Sequence, residues 1–251
     1  MTLPLRVSVL IAVLLGALSG HAASQERSGI TLDEFRIIYP SAKRKGITWS
    51  LTNNTERAYL MQSWIRPMDF TTGLPAQEGD GKTSTAAIPL LVTPPLKRVG
   101  AGEKLTLRIR LTDFSLPKDR ESVFYLSVKG IPSVPDKATQ SGGQLVVAVV
   151  NNMKLFYRPE GLPKGGVTKA ATQLRFSRQG DDLVVDNSTP FFINFSQLAV
   201  DGKPLPADAL RKLVPPLGQQ RYRVAQGARS VVEWQVLDEE SNATPLQRQR
   251  L

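Results

Sequence analysis

Apolar and polar positions alternate along most of this chain. In GITWSLTN, Ile47, Trp49 and Leu51 fall on one side while Thr48, Ser50 and Thr52 fall on the other. KLTLRIRL sets Leu105, Leu107, Ile109 and Leu111 against Thr106, Arg108 and Arg110. A period of two sends successive side chains to opposite faces of a pleated strand, so each segment predicts a strand with one buried side. RAYLMQSWI, AAIPLLVTPP, ESVFYLSVK and LVVAVVNNMKLFYRP add further apolar segments. Turn chemistry separates them at Asn53-Asn54, Gly73, Gly79 to Gly81, Gly100, Gly102 and Pro132 to Pro135. Roughly seven short strands over about 130 residues, without helical periodicity, predict an all-β sandwich.

The pattern breaks at Arg158-Pro159-Glu160-Gly161-Leu162-Pro163-Lys164-Gly165-Gly166 and then resumes in QLRFS, DDLVVDN, PFFINFSQLAV, QRYRV and SVVEWQVL. This predicts a second, smaller β-sandwich beyond a short stiff linker. Only LPADALRKL suggests a helical turn. The N-terminus is different again. Arg6 precedes an apolar run from Val7 to Leu18, followed by small residues that include Gly20 and Ala22. Such a run is short for a bilayer span and ends in a cleavage context, although an uncleaved anchor is the alternative. The expected organisation is a signal peptide over 1–22, a first domain over 23–159 and a second over 160–251. The mature chain would then have no membrane span.

Composition narrows the chemistry. Of the 251 residues, 41% are hydrophobic and 22% charged, enough for sizeable cores. The only histidine, His21, falls in the leader, and the chain has no cysteine. A mature chain without either residue cannot build a His-dependent triad, a Cys nucleophile, a usual zinc site or a disulfide. The net charge of +10 drops by one when Arg6 leaves with the leader. Apart from Lys43-Arg44-Lys45 the cations are dispersed, which suits a solvated basic face better than a nucleic-acid site.

The stretch 145–150, LVVAVV, is six apolar residues long. It reads either as the buried strand of a core or as a surface offered to a partner. Leu145, Val147 and Val149 share one face, but Val146, Ala148 and Val150 make the opposite face apolar as well.

FRIIYP (35–40), SLTNNTERAYLMQSWI (50–65), LLVTPPLKRVGAGEKLTLRI (90–109), LPKDRESVFYLSVKGIP (116–132) and MKLFYRP (153–159) follow one another in collinear order. NSTPFF (187–192) and VEWQV (232–236) continue the series. Together they resemble the periplasmic pilus chaperones of the chaperone–usher pathway. The resemblance implies two immunoglobulin-like β-sandwich domains arranged around a cleft, in an exported periplasmic protein without catalytic residues, metal or cofactor. It implies that Leu145, Val147 and Val149 form a donor strand that completes an unfinished pilus subunit. Arg36 and Lys154 match a cleft pair that binds the subunit's C-terminal carboxylate, and Glu121, Arg158 and Asp238 match a charged trio bridging the domains. Where the family usually reads Ile-Asn-Asp-Tyr-Gly, this chain reads Val236-Leu237-Asp238-Glu239-Glu240. Twelve cysteine-free residues between Pro132 and Leu145 resemble the family's short-loop branch, associated with rod-like pili.

One point of geometry is open. Val149 and Lys154 are opposite in parity on an unbroken strand, and a bulge or strong twist near Asn151-Asn152 would reconcile them. The partners implied are pilus subunits, an outer-membrane usher and a second copy through the donor strand, with no role for nucleic acid. A structural pilus subunit or adhesin is the competing reading, but ASQERSG carries no alternating apolar donor run. No nucleophile motif supports an enzyme.

Overall fold

The computed structural model describes residues 29–77, 88–133, 146–224 and 231–251. The leader, Gly79 to Gly81, Leu145 and most of the loop assigned to the short-loop branch lie outside the described residues. Among the described residues no helix is long and apolar enough to cross a membrane.

The first half of the chain folds into two sheets packed on one core. One sheet holds β1 (Ile30–Leu32), β3 (Ile47–Asn53), β8 (Lys104–Leu111) and β6 (Leu90–Thr93), in the order β1-β3-β8-β6. The other runs β2 (Arg36–Pro40), β10 (Val149–Arg158), β9 (Ser122–Pro132), β4 (Tyr59–Asp69) and β5 (Leu74–Pro75), with β7 (Leu96–Val99) also pairing with β4. Alternation places the core as expected: Trp49, Leu51, Leu105, Leu107 and Ile109 point inward and the intervening polar residues outward. They meet Ile37, Tyr39, Met61, Leu126, Met153 and Leu155 from the facing sheet.

The second half forms a smaller sandwich. A three-stranded sheet, β11 (Arg175–Gln179), β12 (Asp182–Asn187) and β15 (Gly218–Arg223), packs on β14 (Lys203–Pro204), β13 (Phe195–Val200), β16 (Val231–Val236) and β17 (Gln247–Arg250). LPADALRKL contains a single 3-10 turn, Ala209–Arg211. A true helix, α1 (Gly166–Ala171), follows the Pro- and Gly-rich break, over residues to which the sequence pattern assigns no element. Its six residues are too few to show a period, and its place is set by packing. Trp234 Nε1 donates to Ala171 O at 2.9 Å, and a Cβ on Gly166 would lie 2.2 Å from the Phe191 ring.

The β2–β10–β9 sheet is apolar on both faces, and its outer face joins the two sandwiches. Ile38, Met68, Val123, Tyr125 and Phe156 pack there against Phe192 and Leu213 of the second sandwich. The two sandwiches therefore enclose a cleft beside this sheet. Strand β10 also changes character along its length: Leu155 is fully buried, whereas Val149 is 57% exposed and Val147, just before the strand, is 62% exposed. Leu155→Ala should lower the unfolding free energy by about 2–5 kcal/mol. Val147→Ala should change it by less than about 0.5 kcal/mol, a contrast that urea denaturation measures directly.

Candidate functional site

The site begins with two parallel strands in register. Lys154 lies opposite Arg36 and Phe156 opposite Ile38, while Leu155 and Tyr157 pair with Ile37 and Tyr39. The second set turns into the first core, so Arg36, Ile38, Lys154 and Phe156 must emerge on the cleft face. Arg36 is only 6% exposed, with its guanidinium stacked 4.0 Å from the centre of the Phe156 ring. Its Nε and Nη2 are buried and have no hydrogen-bond partner among the described residues. Lys154 Nζ donates to Asn194 Oδ1 of the second sandwich.

Burial dominates the electrostatics of this pair. It lowers the Arg36 pKa, against the opposing field of Glu121. It also brings Lys154 from 10.5 to about 8, helped by the neighbouring Arg36. A cavity of about 310 Å³ opens beside them, with Phe35, Gly73, Asn194 and Arg211 in its wall and no acidic residue among the described residues that line it. Two like charges are thus held together, and an anion between them would relieve their repulsion.

Arg158 ties the sandwiches together one turn of the pleat further on. Its Nε donates to Glu121 Oε1 at 2.9 Å, and its Nη1 donates to Glu239 Oε1 at 3.0 Å. The other Glu121 oxygen accepts the Phe192 N–H at 2.9 Å, closing the link to the second sandwich. Burial pushes the Glu121 pKa up, and Arg158 is the main force opposing it. The guanidinium also sits 5.0 Å from the centre of the Phe191 ring.

The expected trio of Glu121, Arg158 and Asp238 is therefore corrected in its third member. Asp238 Oδ1 accepts the N–H groups of Glu240 and Asn242, at 3.0 and 2.8 Å, and closes its own turn. That turn leaves Glu239, the next residue, to face Arg158. The sequence missed this choice between adjacent acids because both have the right charge and only the turn separates them. It also missed Asn194 and Arg211. Asn194 left one faint signal, an amide inside the apolar run PFFINF.

Val147 and Val149 lie outside the buried core. They line the open end of the first sandwich beside Ile30, Tyr59 and Gly130. The register of β10 against β9 runs without interruption from Val149–Gly130 to Tyr157–Ser122, so of the two devices offered near Asn151-Asn152, a bulge or a strong twist, the bulge is absent. Val149 shares a face with Met153, whereas Lys154 points to the other side, beyond Asn152. On its second edge β10 is covered by β2 only from Lys154 onward. Residues Val149 to Met153 thus present an unpaired backbone edge among the described residues, and that edge stops at the two cations.

Residues 29–163 match the family described as "Pili and flagellar-assembly chaperone, PapD N-terminal domain", and residues 169–246 match "Pili assembly chaperone PapD, C-terminal domain". The chain belongs to this family of pilus-assembly chaperones. It is 32% identical over 240 residues to the chaperone protein FimC of Escherichia coli K12, covering 94% of this chain and 90% of that one. Identity to the chaperone protein FimB/FhaD of Bordetella pertussis is also 32%, over 94% of each chain. Among solved structures, a chain in the complex of Salmonella enterica SafA pilin with the SafB chaperone superposes with a TM-score of 0.73 at 26% identity, covering 91% of this chaperone and 99% of that chain. The E. coli chaperone DraB gives 0.70 at 28% identity, covering 89% and 99%.

Two measurements probe the charges of this chaperone. Arg158→Ala strands Glu121 in the interior and should cost about 3–5 kcal/mol, whereas Asp238→Ala should cost about 1 kcal/mol or less in the same denaturation assay. The folded-state pKa of Lys154, about 8, lies below its unfolded value of 10.5, so the unfolded chain binds more protons between them. Stability should therefore rise as pH is raised through that window, and Lys154→Met should remove that part of the rise.

Proposed function

We propose that this chaperone acts in the periplasm by lending the edge of β10 to an incomplete immunoglobulin-like pilus subunit. It would then deliver the subunit to an outer-membrane usher. The observation that carries the reading is the open edge of Val149 to Met153, flanked by exposed valines and ending at Arg36 and Lys154. A strand added there would lie end-on to β2, in the same sheet. If it ran parallel to β10, as β2 does, its C-terminus would arrive at the two cations. An antiparallel strand would bring its ammonium there instead, against like charge. The geometry thus favours a parallel addition anchored by a terminal carboxylate.

Donor residues and anchor occupy opposite faces of β10, and this arrangement is compatible with the reading. Val147 and Val149 fill the partner's groove through one face, with Leu145 extending the series. The carboxylate meets Arg36 and Lys154 at the strand end. Fixing that end sets the register, since a slip of one residue would turn every donated side chain away from the groove. The names of the relatives, among them a pilin complex and a structure described as a periplasmic chaperone, support this use. The reading includes export through cleavage after residue 22, a boundary between domains at 159–160, no catalysis and no cofactor. Without a subunit, the same strand could pair with a second copy.

Co-expression with candidate pilus subunits tests the proposal. Wild-type protein should co-purify with subunits and raise their accumulation, and Lys154→Ala should reduce both by at least about tenfold, in line with loss of a charge-assisted bond. Val147→Asp should abolish the complex while leaving the free protein folded by circular dichroism and urea titration. Equal subunit accumulation with wild type and Lys154→Ala, without co-purification, would sink the proposal.

A further inference from the structure

Asn194, Arg211 and Leu237 bring the second domain into the wall of the cationic cavity, and the first two are its polar contribution. Asn194 is held firmly. Its neighbour Ile193 exchanges two backbone hydrogen bonds of 3.0 Å with Val214, and its own carbonyl accepts the Leu237 N–H at 2.8 Å. The side chain is 7% exposed, with Oδ1 on the Lys154 ammonium. That contact orients the amide, and leaves Nδ2 with no hydrogen-bond partner among the described residues. Arg211 ends the 3-10 turn, whose backbone packs so closely on Gly73 that a Cβ there would lie 2.5 Å from the Arg211 carbonyl. The Arg211 side chain is exposed, lines the same cavity and has no ion-pair partner among the described residues.

From this arrangement we infer that the second domain supplies half of the carboxylate site: Asn194 Nδ2 donates to the anion that Arg36 and Lys154 neutralise, and Arg211 adds a steering charge at the cavity wall. The inference rests on the carboxylate reading above and deepens it. An amide is the residue type the position requires. It accepts from Lys154 and fixes the ammonium without consuming its charge, and it still has a donor for the ligand. A carboxylate at 194 would neutralise Lys154 from within the protein and repel an incoming anion. Arg211 acts at longer range, where exposed charges raise the rate of encounter in a salt-dependent way. A bound strand end therefore touches both sandwiches at once.

The test compares two synthetic peptides of alternating valine and threonine with a soluble glycine-serine tail, one ending in a free carboxylate and the other in an amide. Both bind the intact protein through the strand edge, so the ratio of their affinities isolates the carboxylate site and is unaffected by partial loss of folded protein. Wild type should prefer the acid. Asn194→Ala should shrink that preference about tenfold or more, the loss of one charge-assisted hydrogen bond. Asn194→Asp should abolish it. Arg211→Ala should slow association of the acid at low ionic strength and have little effect at high salt. A wild-type preference that survives unchanged in both Asn194 variants would overturn the second-domain assignment alone. No acid preference in the wild type would overturn the carboxylate reading, and this inference with it.

Discussion

The parallel pairing of β2 with β10 is the constraint on which the rest of this molecule depends. Once Lys154 stands opposite Arg36, the pleat dictates everything along the two strands. Ile37, Tyr39, Leu155 and Tyr157 enter the first core, and Arg36, Ile38, Lys154, Phe156 and Arg158 are turned toward the second sandwich. One register thus produces a core, an interdomain contact and a cluster of cations. A shift of one residue would exchange the two sets and destroy all three.

The cost of that arrangement is borne by desolvated charge, and the protein offsets it in different ways at different points. Around Arg158 most of the charge is met inside the protein: the guanidinium donates to Glu121 and Glu239, and Glu121 also accepts the Phe192 N–H. Arg36 receives the Phe156 ring and the more distant fields of Glu121, Glu239 and Asp238. Lys154 receives a single amide oxygen. The first group is an ion-paired joint between the sandwiches, with Arg158 Nη2 and Glu239 Oε2 outside its hydrogen bonds. The second leaves Arg36 Nε and Nη2 buried beside the cavity without a hydrogen-bond partner among the described residues.

Much of the architecture was legible in the sequence because it rests on a period of two. Trp49, Leu51, Leu107 and Ile109 face inward as their alternation required, and the Pro- and Gly-rich break falls between the two sandwiches. The helix Gly166–Ala171 was hidden, since its place follows from contacts with Trp234 and Phe191 that are remote in sequence. At the site, Arg36 and Lys154 were identifiable as a pair only through family resemblance, although their register now gives the pairing a physical reason. The choice of Glu239 over Asp238 was invisible because it turns on hydrogen bonds within a five-residue turn, Asp238 to Asn242. A bulge or strong twist near Asn151-Asn152 was offered to reconcile Val149 with Lys154, on the assumption that donor and anchor must share a face. The uninterrupted ladder removes that assumption: one strand can present side chains to one neighbour and a charge to another.

The contact between Gly166 and Phe191 has a consequence for energetics. The ring fills the space a side chain would need at Gly166, and the Arg158 guanidinium lies over the same ring. The start of the second sandwich is thereby wedged against the end of β10. Contacts of this kind oppose relative motion of the two sandwiches, so part of the entropy of aligning them is lost already in folding. A scaffold preorganised in this way can spend nearly all of a partner's contact energy on holding that partner, because little is consumed in shaping itself.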